Sequence, residues 1–399
     1  MKFRTSALIL SGAMALASCV TVESDFDLDF GPEPEPPEWS IVIHGGAGVI
    51  TREAMSPETE AAYIAALQNA IDTGSEILAS GGPAIDAVET VIRGLEDDPL
   101  FNAGRGAVMT ETGEFSLDSS IMDGDTLNAG AVASLTNVRH PISAARKAME
   151  ESPHVMLAGA GADQFAAQQG LEIVDPVYFF TERRWESLLR VLDRRGVEHP
   201  PRPEGAPEAA GVMPSYADLS FPDDQKFGTV GVVAMDQTGN IVAGTSTGGT
   251  TAKRWGRVGD SPIIGAGTYA KSGVCGISST GTGEYFIRLA VAYAICARIE
   301  QSGESAAEAA DHVIHTELTG LGGDGGIVML GPDGRPNWSY NTEGMYRAYA
   351  TSDGDQMIEI YEYNEGAFRV LYKSVSDQKA ISLPSRPGSL SRMRRSRSS

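Results

Sequence analysis

Helices and strands come in blocks along this chain, and that arrangement predicts an α+β fold. Three observations carry the prediction. Helical periods run from Glu58 to Leu78 and from Ala84 to Leu95. Between Ala107 and Leu135 the pattern turns to short strand-like stretches separated by glycine turns. Thr229 to Met235 and Ile241 to Thr247 are both β-rich, and Asp236-Gln237-Thr238-Gly239-Asn240 joins them as a hairpin.

Taken in order, the chain opens with Lys2 and Arg4, an apolar run from Ala7 to Ala17 and then Leu16-Ala17-Ser18-Cys19. This reads as an export signal over 1–18, too short for a membrane span. Leu-Ala-Ser-Cys resembles the bacterial lipobox, in which the cysteine is lipidated. Cys19 would then anchor a periplasmic protein to the envelope; Ala15-Leu16-Ala17 offers an ordinary signal-peptidase site instead. Acids and prolines alternate from Thr21 to Pro37, so 19–39 reads as an extended tether. The globular part begins with the β-branched run Ser40 to His44, which ends in Gly45-Gly46-Ala47-Gly48.

A further helix is expected from Ile142 to Glu150. From about Arg194 to Lys226 the chain is rich in Pro, Gly and acid without a sustained period, a length usual for functional loops. The hairpin follows, then a β-like run from Val274 to Ser278 and a helical run from Glu284 to Ile299. Residues 40–228 and 229–375 are taken as two parts of one domain. The Arg- and Ser-rich segment 376–399 reads as a solvated terminus. Cys275 and Cys296 are expected to be two buried thiols.

With 399 residues, 42% hydrophobic and 7% aromatic, the chain can build a large core. A net charge of −22 disfavours nucleic acid and anionic lipid surfaces, both of which are bound through Lys and Arg contacts to phosphate. Contact with a membrane is expected only through the Cys19 lipid.

The chemistry begins at the hairpin. Centring its turn on Thr238 sets Thr229 opposite Thr247, on one face of the sheet. A threonine hydroxyl inside a chain is a weak nucleophile without a base. Cleavage between Gly228 and Thr229 would supply one, because an α-amine has a reference pKa of about 7.7 to 8.0 and is partly neutral near physiological pH. Gly228 tolerates the strained backbone that attack on its carbonyl requires.

Next, Arg257 and Asp260 stand three residues apart on a glycine-bounded turn, Gly256-Arg257-Val258-Gly259-Asp260. An arginine fork holds a carboxylate and an aspartate accepts from an ammonium, so the pair matches an amino-acid headgroup. The alternative is an ion pair within the loop. After the strand-like run come Thr280-Gly281-Thr282-Gly283 and a helix start, an arrangement that binds anions. In acyl transfer the anion is the tetrahedral oxyanion, met by the Thr280 hydroxyl and the Gly281 amide. No lysine follows these glycines as a nucleotide loop requires.

Together, Gly228-Thr229-Val230-Gly231, Thr245-Ser246-Thr247-Gly248-Gly249, Gly256 to Pro262 and Thr280 to Glu284 are similar, in order and spacing, to the signatures of the isoaspartyl peptidase and plant-type asparaginase family of N-terminal-nucleophile hydrolases. Phe101-Asn102-Ala103-Gly104, Leu117-Asp118, Met122-Asp123-Gly124 and Asn341 to Arg347 extend the resemblance over roughly Ile41 to Tyr372. The resemblance implies a four-layer αββα sandwich, cleavage before Thr229, Thr229 as nucleophile and Thr247 as its hydroxyl partner. It also implies substrate binding by Arg257, Val258, Gly259, Asp260 and Thr280 to Gly283, with Thr280 and Gly281 as the oxyanion hole.

No cofactor is implied for catalysis. A loop like that of the family would hold a sodium ion through the main-chain carbonyls of Leu95, Glu96, Asp98, Phe101, Ala103 and Arg105. Assembly is expected as a dimer of αβ heterodimers, acting on β-aspartyl dipeptides or asparagine. Trp255 and Thr251-Ala252 depart from the family pattern, which bears on substrate preference.

Four rival readings carry distinct signatures. Gly244 to Gly248 matches the G-x-S-x-G pattern of serine hydrolases, but no helix pattern follows it. His312 and His315 lack the H-E-x-x-H arrangement and are expected to cap a helix or face solvent. A non-catalytic amino-acid-binding lipoprotein would use Arg257 and Asp260 and leave Thr229 idle. Glycosylasparaginase, the nearest enzymatic alternative, usually carries Asp where this chain has Gly228.

Overall fold

The computed structural model describes residues 35–207 and 228–361. The export signal, Cys19, most of the tether, residues 208–226 of the long loop and the 376–399 segment lie outside the described residues. The strands are β1 (Ser40–Gly48), β2 (Leu117–Asp123), β3 (Ala129–Leu135), β4 (Met156–Ala158), β5 (Val230–Met235), β6 (Ile241–Thr247), β7 (Thr268–Lys271), β8 (Cys275–Gly281), β9 (Gly325–Leu330), β10 (Pro336–Tyr340), β11 (Gly344–Thr351) and β12 (Gln356–Tyr361). The α-helices are α1 (Pro57–Ala79), α2 (Ala84–Asp97), α3 (Pro141–Glu151), α4 (Gly159–Gln168), α5 (Glu182–Arg195), α6 (Gly283–Leu289), α7 (Val291–Ser302) and α8 (Ala306–Asp311). A π-helical stretch, His312–Leu318, follows α8.

Eight strands form one sheet in the order β12-β11-β1-β5-β6-β2-β3-β4, and four form a second in the order β10-β9-β8-β7. Side chains alternate across each strand, so three separate cores arise. Val230, Val232 and Ala234 of β5 pack with Ile41, Ile43 and the apolar stripes of α1, α2 and α3. The opposite face of the same sheet, including Val42, Val233 and Ala243, meets Val328 and Leu330 of the second sheet. Ile277, Ile327 and Met329, on the outer face of the second sheet, pack under α6, α7 and α8. Three interfaces between four layers make the αββα sandwich.

Local signals explain the helix ends. Ser56 caps α1, its side chain accepting from the Thr59 amide, with Pro57 as the first helical residue. Thr181 caps α5, and Gly196 ends it in the left-handed conformation at φ 63°. The long loop therefore starts just beyond Arg195.

Two expectations are corrected. The run Glu284 to Ile299 is not one helix: Ala290, at φ 50°, breaks it into α6 and α7. Apolar periodicity continues through the break, which is why periodicity alone missed it. Cys275 and Cys296 are not free thiols but a disulfide. Packing of α7 on β8 brings their Cα atoms to 5.8 Å, within bonding range, although 21 residues separate them in the chain.

Candidate active site

β5 and β6 pair with Val230 opposite Ser246 and Met235 opposite Ile241. One residue beyond, Thr229 meets Thr247, and their Oγ1 atoms lie 2.9 Å apart. The hairpin symmetry about Thr238 is the observed pairing. Thr247 Oγ1 also accepts from the Gly249 amide at 3.0 Å. Gly228 adopts φ 148°, and its carbonyl accepts from the Asn102 amide at 2.9 Å. A Cβ on Gly228 would lie 2.7 Å from that of Asn102, so only glycine lets the chain before Thr229 close on this loop.

Asn102 was visible in the sequence only as part of a shared motif. In the fold its Nδ2 donates to the Gly249 carbonyl at 2.8 Å and its Oδ1 accepts from the Val108 amide at 2.8 Å. Its own carbonyl accepts from Gly248 at 2.9 Å. The signal in the sequence was an asparagine between Phe101 and Ala103 just ahead of Gly104 and Gly106; once buried, such a side chain must find several partners.

Arg257 and Asp260 do converge, and glycine is the reason. A Cβ on Gly283 would stand 2.8 Å from Asp260 Oδ1 and 3.0 Å from Arg257 Nη2, and one on Gly259 would stand 2.8 Å from Arg257 Nη1. The direct partner of Arg257, however, is Glu284: Nε reaches Oε1 at 2.9 Å and Nη2 reaches Oε2 at 3.0 Å. That fork holds the Glu284 carboxyl below its usual range. Asp260 is buried, which pushes its carboxyl up to about 7, and its Oδ2 has no hydrogen-bond partner among the described residues. A buried carboxylate oxygen without a donor, beside a guanidinium, suits an ammonium ligand.

Thr280 and Gly281 end β8 at the same place. Thr280 Oγ1 is buried and has no hydrogen-bond partner among the described residues, a free donor close to the start of α6. The Thr282 hydroxyl is engaged by Asp324. Trp255 stands 90% exposed at φ 56°, with the Arg254 guanidinium 4.3 Å from its ring. It lines a cavity of about 320 Å³ together with Lys253, Arg254 and Arg257.

Two buried ionisable groups were not singled out for a role from sequence. Lys253 Nζ lies 3.7 Å from Asp118 Oδ2 and donates to the Ser116 carbonyl at 2.6 Å. Burial pushes the Asp118 carboxyl up and the Lys253 ammonium down. Asp118 is the register partner of Thr247, so the pair underlies the strand that carries the threonines.

Glu96, which burial pushes up to about 8, accepts from Ser246 Oγ at 2.6 Å and from the Ile142 amide at 3.0 Å. Ser246 thus faces the helical layer, away from Thr229, and cannot act as the serine of a hydrolase elbow. His312 and His315 are partly exposed beside Glu317 and Asp311.

In the loop after α2 the Glu96 carbonyl accepts from the Arg105 amide at 2.7 Å. The Pro99 and Phe101 carbonyl oxygens both lie 2.7 Å from the Cβ position of Gly106. The Pro99 carbonyl also accepts from Arg183 Nη2 at 2.9 Å, and the Asp98 carbonyl from the Phe101 amide at 3.2 Å; carbonyl oxygens are the ligand type a hard cation takes.

A family model described as Asparaginase matches residues 37–360. The chain is 46% identical over 322 residues to an isoaspartyl peptidase of Salmonella typhimurium, covering 80% of this chain and 98% of that protein. It is 41% identical over 330 residues to a probable isoaspartyl peptidase/L-asparaginase 2 of Arabidopsis thaliana, covering 81% and 99%. With a plant-type L-asparaginase of Pyrococcus furiosus it shares 41% over 314 residues, 78% of this chain and 95% of the other.

Proposed function

The chain belongs to the asparaginase family, and from that premise we propose that it is a threonine amidohydrolase that activates itself by cleavage and hydrolyses the side-chain amide or isopeptide bond of L-asparagine and β-aspartyl dipeptides. The observation that carries this reading is the Thr229 hydroxyl, 2.9 Å from that of Thr247, directly after a glycine whose carbonyl the Asn102 amide holds.

In maturation the Thr229 hydroxyl attacks the Gly228 carbonyl carbon, and the Asn102 amide stabilises the developing oxyanion. The C–N bond breaks as the ester to Thr229 forms, and water then hydrolyses that ester. Residues up to Gly228 leave with a carboxylate, and Thr229 keeps a free amine. In turnover this amine takes the hydroxyl proton as Thr229 attacks the substrate side-chain carbonyl. The Thr280 hydroxyl and Gly281 amide receive the oxyanion. The protonated amine returns its proton to the leaving nitrogen, and water hydrolyses the aspartyl ester.

Arg257 exchanges Glu284 for the substrate α-carboxylate, while Asp260 accepts from its α-ammonium. The carbonyls of Leu95, Glu96, Asp98, Phe101, Ala103 and Arg105 would hold a sodium ion that stiffens the loop carrying Asn102, with no part in the chemistry. Export is part of the proposal, and the Cys275–Cys296 disulfide supports it, because such bonds persist in oxidising compartments.

The test is direct. Thr229→Ala should remain one chain on a denaturing gel, and Edman sequencing of the smaller wild-type fragment should begin at Thr229. Any other first residue refutes the reading.

A further inference from the structure

Between the two sheets runs a line of polar side chains that none of the steps above uses. At one end this layer is apolar, with Val42, Met122, Val233 and Ala243 in the shared core. Two residues along the same four strands, on the same face, stand His44, Ser120, Gly231 and Thr245, all buried. The side chains form a continuous hydrogen-bonded chain. His44 Nε2 lies 2.9 Å from Ser278 Oγ, Ser278 Oγ 2.7 Å from Thr245 Oγ1, and Thr245 Oγ1 2.6 Å from Thr268 Oγ1. Ser120 Oγ then reaches Thr268 Oγ1 at 2.8 Å and the Ser261 carbonyl at 2.6 Å. Thr245 is the branch point, with a third contact to the Gly267 carbonyl at 3.3 Å.

Facing sheets normally bury apolar side chains, and a hydroxyl placed there is costly unless it is bonded. A bonded network instead holds one arrangement of the parts it joins; each hydroxyl of this one is bonded, and His44 Nδ1 at its end has no hydrogen-bond partner among the described residues. The parts joined here are informative. The His44 ring sits against the main chain of Thr229. Ser278 is two residues from Thr280 on β8, and Ser261 follows Asp260. The chain also explains Gly231, a glycine of the shared motif that the chemistry leaves idle. A Cβ there would collide with both Ser278 Oγ and His44 Nε2.

We propose that Thr245 is a positioning residue for the hydrolysis: the buried hydroxyl chain that branches at it sets the second sheet against the first, so that Thr280 and Asp260 stand correctly towards Thr229. The proposal rests on the roles assigned above to those three residues. It divides the network into two arms with different kinetic signatures. The Ser278 arm serves the oxyanion, which exists only in the transition state, and so governs kcat. The Ser120 arm serves the headgroup clamp, which binds the ground state as well, and so governs KM.

Four variants of the full chain, assayed after maturation with β-Asp-Leu, test it. Thr245→Val keeps the shape and removes the branch point; kcat/KM should fall by roughly tenfold or more, as for a lost buried hydrogen bond that strands its partners. Thr245→Ser should stay within about threefold of wild type. Ser278→Ala should lower mainly kcat, and Ser120→Ala should raise mainly KM. Activity of Thr245→Val equal to wild type would overturn the proposal. So would kcat and KM changes of the same pattern in Ser278→Ala and Ser120→Ala, since general loosening has no such split. If Thr245→Val does not fold, the two single-arm variants decide. A wild-type chain left uncut at Gly228–Thr229 would sink the underlying reading, whereas a cut, active wild type matched by its Thr245→Val variant sinks only this inference.

Discussion

Replacing Arg257 with alanine should separate maturation from turnover. Self-cleavage involves Gly228, Thr229, Thr247 and the Asn102 amide, none of which Arg257 contacts by hydrogen bond among the described residues, so the variant should still appear as two fragments on a gel. Turnover needs the guanidinium. In the free enzyme it makes a two-point pair with Glu284 at 2.9 and 3.0 Å, a geometry that a substrate α-carboxylate can reproduce. A hydrogen bond to a charged group contributes about 1.5 to 3 kcal/mol, so loss of the clamp should lower kcat/KM roughly tenfold to 150-fold. The Glu284 side chain is 55% exposed, and pairs of that kind contribute only about 0 to 1 kcal/mol. Displacing Glu284 therefore reduces the gain little, and Glu284→Gln should lower KM by no more than about fivefold. The assay is steady-state kinetics on matured protein with β-Asp-Leu. An unchanged kcat/KM in Arg257→Ala, or failure of that variant to cleave itself, would refute the separation.

Three further outcomes are expected. Asp260 has a folded pKa raised by burial to about 7, so it is neutral below that pH and ionised above. An ammonium needs the carboxylate, and kcat/KM should fall as pH drops below about 7, with kcat holding to lower pH because the bound ammonium favours ionisation; a substrate lacking the α-amine should lose this limb, and a limb of equal size for both substrates would exclude Asp260 as its source. By the same sign, the folded state binds this proton more tightly than the unfolded chain, so Asp260 contributes stability at low pH that is lost as pH rises towards 7. β-Asp-Leu should be a better substrate than asparagine, with N-acetylglucosaminyl-asparagine the poorest, because the clamp holds all three alike and only the dipeptide's leaving amino acid adds contacts; a win for the glycosylated substrate would move the protein to the glycosylasparaginase branch. Removing the disulfide with Cys275→Ala and Cys296→Ala should cost about 3 kcal/mol for a loop of this length, a fall in Tm of roughly 5 °C for a domain of this size, and a melting curve of the double variant identical to wild type would refute it.

Features set by neighbouring residues were legible in the chain itself. The α1, α2 and α3 periods and the β5–β6 hairpin all follow from side-chain patterns a few residues long, and the hairpin carried its register with it because both strands count from one turn. That alone set Thr229 opposite Thr247. The Arg257–Asp260 pair was equally local, three positions apart on one turn.

What only the tertiary structure decided lies between segments far apart in sequence. Asn102 meets Gly228 because the loop after α2 folds under β5. Glu284, not Asp260, pairs with Arg257 because α6 begins beside the clamp loop, and Cys275 bonds Cys296 because α7 packs on β8. The hydroxyl chain through Thr245 draws on five strands of two sheets, and no period or spacing announces it. The physical reason is common to all of these. Propensity and patterning act over a turn or a strand, whereas pairing across layers depends on which faces the packing of four layers brings together.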